Sequence, residues 1–167
     1  FTGSKMELTA MAANVAALLK ERKCRISVVE SSAGGLISAS LLSIPGASGY
    51  FVGGGIIYTR DARRALLGAN EEVSMMRGSC EEYALAAAKI IKEKLKTDWA
   101  LCETGASGPS QNSYGDDAGH CCIAITGPIE LAITIETKSE QREQNMWHFA
   151  SAALDLLEAT LRETEVG

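Results

Sequence analysis

The run Val28-Val29-Glu30-Ser31-Ser32-Ala33-Gly34-Gly35-Leu36-Ile37 begins apolar and β-branched, breaks into small polar residues and glycines, and resumes as an apolar helical pattern. A strand ending this way brings the hydroxyls of Ser31 and Ser32 and several backbone N–H groups to a helix N-terminus, where an anion or developing negative charge is stabilised. The same residues also make an ordinary capped turn, because Ser and Gly are common at N-caps and tight turns. A second strand-like run over residues 99–104 ends in Gly105-Ala106-Ser107-Gly108-Pro109. Two strand ends carrying hydroxyls and glycines mark the edge at which an open α/β sheet binds its ligand. The chemistry available there is attack by a serine hydroxyl, with N–H groups receiving the oxyanion.

Other sources of chemistry are poorly represented. No G-x-x-x-x-G-K-[ST] run is present, nor a G-x-G-x-x-G run after a strand, so neither a P-loop nor a dinucleotide fingerprint is supported. There is no G-x-S-x-G elbow, and two histidines, His120 and His148, give little scope for a Ser-His-Asp triad. His120 opens a predicted strand and is a candidate alternative proton acceptor if the fold brings it to Ser31. Five cysteines (Cys24, Cys80, Cys102, Cys121 and Cys122) show no C-x-x-C spacing, which excludes a common zinc pattern and suits small buried side chains in a reducing, cytoplasmic compartment. Cys121 and Cys122 are adjacent, so in a strand they face opposite sides.

The elements that must position these residues follow from periodicity. Residues 6–22 carry Leu8, Met11, Val15, Leu18 and Leu19 at helical spacing. Residues 25–30 read as a buried strand, and 34–42 as a helix stopped by Pro45-Gly46. Residues 50–58 read as a second strand, in which Gly53-Gly54-Gly55 predicts a bulge or the close approach of another backbone. Asp61 is predicted to cap a short helix closed by Gly68. Residues 80–96 form a long helix with Tyr83, Ala87, Ile90, Ile91 and Leu95 inward, read as core or oligomer contact. After the strand at 99–104 comes a polar loop over 110–118, then a hairpin of strands 120–126 and 129–137, then a closing helix over 140–163 containing Trp147 and Phe149. Five strands and about five helices predict a three-layer α/β/α sandwich on a mixed sheet with an antiparallel pair near its end.

Composition agrees with one globular domain, residues 6–165, preceded by Phe1-Thr2-Gly3-Ser4-Lys5 as a vector-derived remnant. At 167 residues the chain is long enough to bury a core without metals or disulfides. A net charge of −5 and a pI near 5.1 argue against a nucleic-acid or membrane-surface partner. No segment has the length and polarity of a transmembrane span.

Taken together, the motifs resemble a known family. Glu30-Ser31-Ser32-Ala33-Gly34-Gly35-Leu36, then Pro45-Gly46-Ala47-Ser48, then Ile57-Tyr58-Thr59 with Ala62 and Leu66-Leu67-Gly68, then Thr104-Gly105-Ala106-Ser107-Gly108-Pro109 are similar to the successive motifs of the CinA C-terminal domain family, over residues 8 to 158. That family is one of nicotinamide mononucleotide amidohydrolases, and this chain resembles its stand-alone form. The resemblance implies hydrolysis of the carboxamide to nicotinate mononucleotide and ammonia, with no metal or cofactor, in a homo-oligomer. It implies Ser31 as nucleophile, assisted by Tyr58 and by the residue at position 63, with Glu30, Ser32, Gly34, Gly35, Thr104, Gly105, Ser107, Gly108 and Arg142 around the nucleotide. Two positions depart from the pattern. The helix after Tyr58 reads Arg60-Asp61-Ala62-Arg63 where the family has Asn-Glu-Ala-Lys, and Met146 stands where a second arginine would follow Arg142 by four residues. Arginine stays protonated, so Arg63 stabilises charge but does not serve as a general base. Two readings therefore stand side by side: an amidohydrolase working through Ser31, and a nucleotide-binding module of the same fold that has lost turnover. A third is an interaction protein whose glycine loops serve only the fold.

Overall fold

The computed structural model describes residues 5–164; Phe1-Thr2-Gly3-Ser4 and residues 165–167 lie outside the described residues. In chain order the elements are α1 (Lys5–Arg22), β1 (Ile26–Glu30), α2 (Leu36–Leu42), a 3-10 turn (Ala47–Gly49), β2 (Phe51–Ile56), α3 (Arg60–Ala65), α4 (Glu71–Met75), α5 (Glu81–Leu95), β3 (Trp99–Gly105), β4 (His120–Thr126), β5 (Leu131–Glu136) and α6 (Arg142–Glu163). The five strands form one sheet in the order β2-β1-β3-β4-β5. β1 pairs in parallel with β2 and β3, whereas β3–β4 and β4–β5 are antiparallel. This is the mixed α/β/α sandwich that the alternation of elements indicates.

Side-chain alternation along the strands divides the core in two. Ile26, Val28, Trp99, Leu101, Cys121, Ile123 and Ile125 face α1, α2 and α6, where they meet Val15, Leu19, Ile37, Phe149, Leu154 and Leu157. On the other face Val29, Ala100, Cys102, Cys122 and Ala124 meet Tyr83, Ala84, Ala87 and Ala88 of α5. Cys121 and Cys122 thus lie on opposite faces, as their adjacency predicts. The second face is lined by small residues on both sides, which lets α5 sit close to the sheet.

Gly53-Gly54-Gly55 does what three glycines in a strand suggest. The β1–β2 register steps from Ile26↔Phe51 to Ser27↔Gly53, leaving Val52 as a bulge. At Gly54 a Cβ would stand 1.8 Å from the carbonyl oxygen of Val28, so the neighbouring backbone occupies the space a side chain needs.

Three differences from the sequence reading bear on the strand ends. α2 begins at Leu36 rather than residue 34, because Gly34 and Gly35 adopt left-handed backbone angles, φ 66° and 103°, that continue the turn. β2 ends at Ile56, which leaves Tyr58 beyond the strand. The cap of α3 is Thr59, not Asp61: Thr59 is extended and its Oγ1 accepts from the Ala62 N–H at 3.1 Å, placing Asp61 in the first turn. α4, unread in the sequence, is capped by Asn70, whose Oδ1 accepts from the Val73 N–H at 2.9 Å.

Gly54→Ala is expected to cost at least about 2 kcal/mol of unfolding free energy, because the added methyl meets backbone that cannot repack. Urea denaturation against wild type reads this directly.

Candidate active site

β1, β2 and β3 run in the same direction, so their C-terminal ends come to one edge of the sheet. From these ends project Ser31, Ile57 with Tyr58, and Thr104 with Gly105. They form one wall of a cleft of about 230 Å³ that is completed by Arg63, Gly78, Ser79, Tyr83 and the loop residues Asn112, Ser113 and Tyr114. The chain passes from β1 to β2 on one side and arrives at β3 on the other, so Ser31 sits where the strand order reverses.

Two buried carboxylates build the Ser31 loop. Glu103 of β3 is fully buried; its Oε1 accepts from the N–H groups of Ser31 at 3.0 Å and Ala33 at 2.8 Å, and its Oε2 from the Ser32 hydroxyl. Burial pushes the Glu103 carboxyl above its ordinary pKa, opposed by these bonds, which favour the charged form. Glu30, also buried, accepts from the N–H groups of Gly35, Ile37 and Ser38 at 3.1, 3.0 and 2.8 Å. These contacts correct the expectation that the start of α2 offers its amides to a ligand. The Gly35, Ile37 and Ser38 donors are taken by Glu30, and those of Ser31 and Ala33 by Glu103. Glu30 and Ser32 therefore support the loop and do not line the cleft.

Ser107 is buried as well, its hydroxyl 3.5 Å from the Ser32 carbonyl, and it binds the two glycine loops together. Its own carbonyl accepts from Asn145 Nδ2 at 2.9 Å, and that amide also donates to the Ser139 carbonyl at 2.8 Å. Asn145 carries no motif in the sequence; a buried amide in the first turns of α6 is its only signature. Gly34 and Gly35 form the entry to α2, and the Met146 methyl lies over Gly34. Gly108 offers its carbonyl to Arg142 Nη1, while Arg142 Nη2 donates to the Tyr58 hydroxyl at 3.3 Å. Tyr58 is 60% exposed, so its ring is a cleft wall and not core. Thr104 lines the cleft and its Oγ1 accepts from the Ser79 N–H at 3.2 Å.

Arg63 is 7% exposed. Its Nη1 donates to the carbonyls of Ser74 at 3.1 Å and Met76 at 2.8 Å, and its Cζ stands 3.8 Å from the centre of the Tyr83 ring. The helical periodicity that marks Tyr83 as inward-facing does not distinguish core from cleft, and Tyr83 is both.

His120 is not placed to relay a proton from Ser31. It is absent from the cleft wall, and its ring nitrogens face acceptors: Nδ1 meets Glu136, and Nε2 meets the Ser79 carbonyl at 2.7 Å with Asp116 3.8 Å away. Burial disfavours the imidazolium, but Glu136, the Ser79 carbonyl and Asp116 outweigh it and the pKa is raised. A raised native pKa stabilises the fold below the unfolded value of about 6.5 and ceases to do so as pH climbs through the native one. The gap in unfolding free energy between wild type and His120→Gln is therefore expected to be widest near pH 5.5 and to narrow by pH 8.5 in paired urea titrations.

The sequence and the fold are similar to those of known proteins. The model of the CinA C-terminal domain matches residues 8–161. A putative competence-damage inducible protein of Moorella thermoacetica is 33% identical over 147 residues, covering 87% of this chain and 36% of the relative. A CinA-like protein of Gloeobacter violaceus is 34% identical over 150 residues, covering 88% and 35%. The chain thus spans about a third of the length of these relatives. Among solved structures, a CinA superfamily protein of Klebsiella pneumoniae superposes with a TM-score of 0.87 at 19% identity, covering 94% of this chain and 99% of that one. The competence/damage inducible protein CihA of Agrobacterium tumefaciens gives 0.85 at 24%, covering 94% and 96%. With its motifs in order and the family model matched over nearly its whole length, the chain belongs to the CinA C-terminal domain family.

Proposed function

We propose that this cleft hydrolyses the carboxamide of nicotinamide mononucleotide, giving nicotinate mononucleotide and ammonia. The observation that carries the reading is the convergence of Ser31, Tyr58, Arg63 and Thr104 on one cleft at the ends of three parallel strands. In this scheme Ser31 Oγ attacks the amide carbon. Its proton passes through the Tyr58 hydroxyl to the nitrogen, which leaves as ammonia. Water then cleaves the acyl-serine, giving the acid and restoring the hydroxyl. Arg142, bonded to the Tyr58 oxygen, holds the phenol in place, and Arg63 supplies positive charge to the oxyanion. The reading includes self-association, supported by exposed Ile56, Leu66 and Met75, and a cytoplasmic setting, supported by five free cysteines. Among the described residues no helix is long and apolar enough to cross a membrane, and no metal-binding cluster is found.

One observation favours a second reading. Among the described residues no carboxylate, histidine or lysine lines the cleft, so none of those that line it is an ordinary proton acceptor near neutral pH. On this reading the domain binds the nucleotide and does not turn it over.

Ammonia release from nicotinamide mononucleotide, assayed with formation of the acid, separates the two. Under the first reading Ser31→Ala lowers the rate by roughly 10³-fold or more, and Arg63→Lys raises it at least about tenfold by restoring a base. Absence of ammonia together with a nucleotide-induced rise in melting temperature establishes the binding reading instead.

A further inference from the structure

Arg63 presents an unusual electrostatic situation. Arginine is rarely buried without a carboxylate beside it, because an unpaired charge in a low-dielectric site is costly. Arg63 is 7% exposed, yet among the described residues it forms no ion pair. Its partners are two main-chain carbonyls, both on Nη1, and the face of Tyr83. Nη2 runs beside Gly78, where a Cβ would stand 2.9 Å from it, so the missing side chain leaves that nitrogen a path to the cleft.

Tyr83, whose ring lies under the guanidinium, adds a second sign. It is 2% exposed, lines the same cleft, and its hydroxyl has no hydrogen-bond partner among the described residues. A buried hydroxyl without a partner is destabilising and calls for an acceptor. The cleft therefore holds an unbalanced cation and an unsatisfied donor next to each other, and among the described residues no acid lines it to serve either.

We propose that Arg63 and Tyr83 form a carboxylate receptor, so that the domain binds a small aromatic acid in preference to the corresponding amide. The stacked guanidinium presents only its free edge, and with the phenol this gives convergent donors for the two oxygens of a planar carboxylate. An amide offers one acceptor and turns an N–H₂ toward a cation, which is repulsive. A cleft of about 230 Å³ accommodates a single aromatic ring with its carboxylate, leaving any attached sugar phosphate outside. The inference shares the cleft assigned above and deepens that reading: the hydrolytic product would be the tighter ligand. It does not require turnover.

The test is calorimetric titration of nicotinate and nicotinamide mononucleotides, which carry the same sugar phosphate and differ only at the acid or amide, into wild-type protein and into Ser31→Ala. The acid is expected to bind at least tenfold more tightly than the amide in both. Arg63→Gln should bring the ratio to within twofold of one. Tyr83→Phe should weaken the acid severalfold with little change in melting temperature, since its hydroxyl has no acceptor among the described residues. Inorganic phosphate at equal concentration should leave the ratio unchanged. Equal or tighter binding of the amide, a preference that persists in Arg63→Gln, or its abolition by phosphate overturns the receptor. The wild-type ratio decides alone should Arg63→Gln fail to fold. Ammonia release without acid preference would overturn this inference and leave the amidohydrolase standing; acid preference without ammonia release does the reverse; binding of neither overturns both.

Discussion

The architecture of the cleft depends on one buried carboxylate. Glu103 enters from the middle strand and gathers two backbone N–H groups and a hydroxyl from the loop that follows β1. A carboxylate at 0% exposure is tolerable only with such a set of donors, and a loop of small residues holds one shape only with such an acceptor. Each requirement answers the other. Because β1 and β3 are adjacent and parallel, the bond crosses the shortest gap in the sheet, and the position of Ser31 is tied to the strand rather than to the loop's own propensity.

Glu30 extends the same logic to the helix. Its carboxylate replaces the usual Ser or Thr cap and neutralises the positive end of a helix only seven residues long. Two acids spaced across two strands thereby take up five N–H groups of this βα turn, those of Ser31, Ala33, Gly35, Ile37 and Ser38. The cation that lines the cleft is Arg63 on α3, and Arg142 on α6 is bonded to the hydroxyl of Tyr58 in the cleft wall.

Much of this was legible in the residues. The strand ends near Ser31 and Thr104 could be placed because apolar runs that break into small polar residues and glycines read clearly, and parallel neighbours bring such ends together; the second strand was read two residues too long, to Tyr58. The bulge in β2 was legible from three consecutive glycines. The partnership of the polar groups was not. A glutamate closing a buried strand has the same local pattern whether it faces a ligand or the helix behind it, so Glu30 and Ser32 read as binding residues. Glu103, set in Ala-Leu-Cys-Glu-Thr, offered one clue, a charge within a wholly apolar strand, but nothing in the sequence says which loop it grips. Tyr83 shows the limit of periodicity: it gives the inward face of α5 without saying that the face runs past the core's edge into open space.

Arg63 is anchored by the carbonyls of Ser74 and Met76, not by their side chains. A carbonyl is present whatever residue occupies the position. The grip on the guanidinium therefore depends on the path of the segment and not on the side chains of the two residues that supply the carbonyls. The charge presented to the cleft is thus tied to backbone geometry: whatever shifts the turn between α4 and α5 shifts the guanidinium with it.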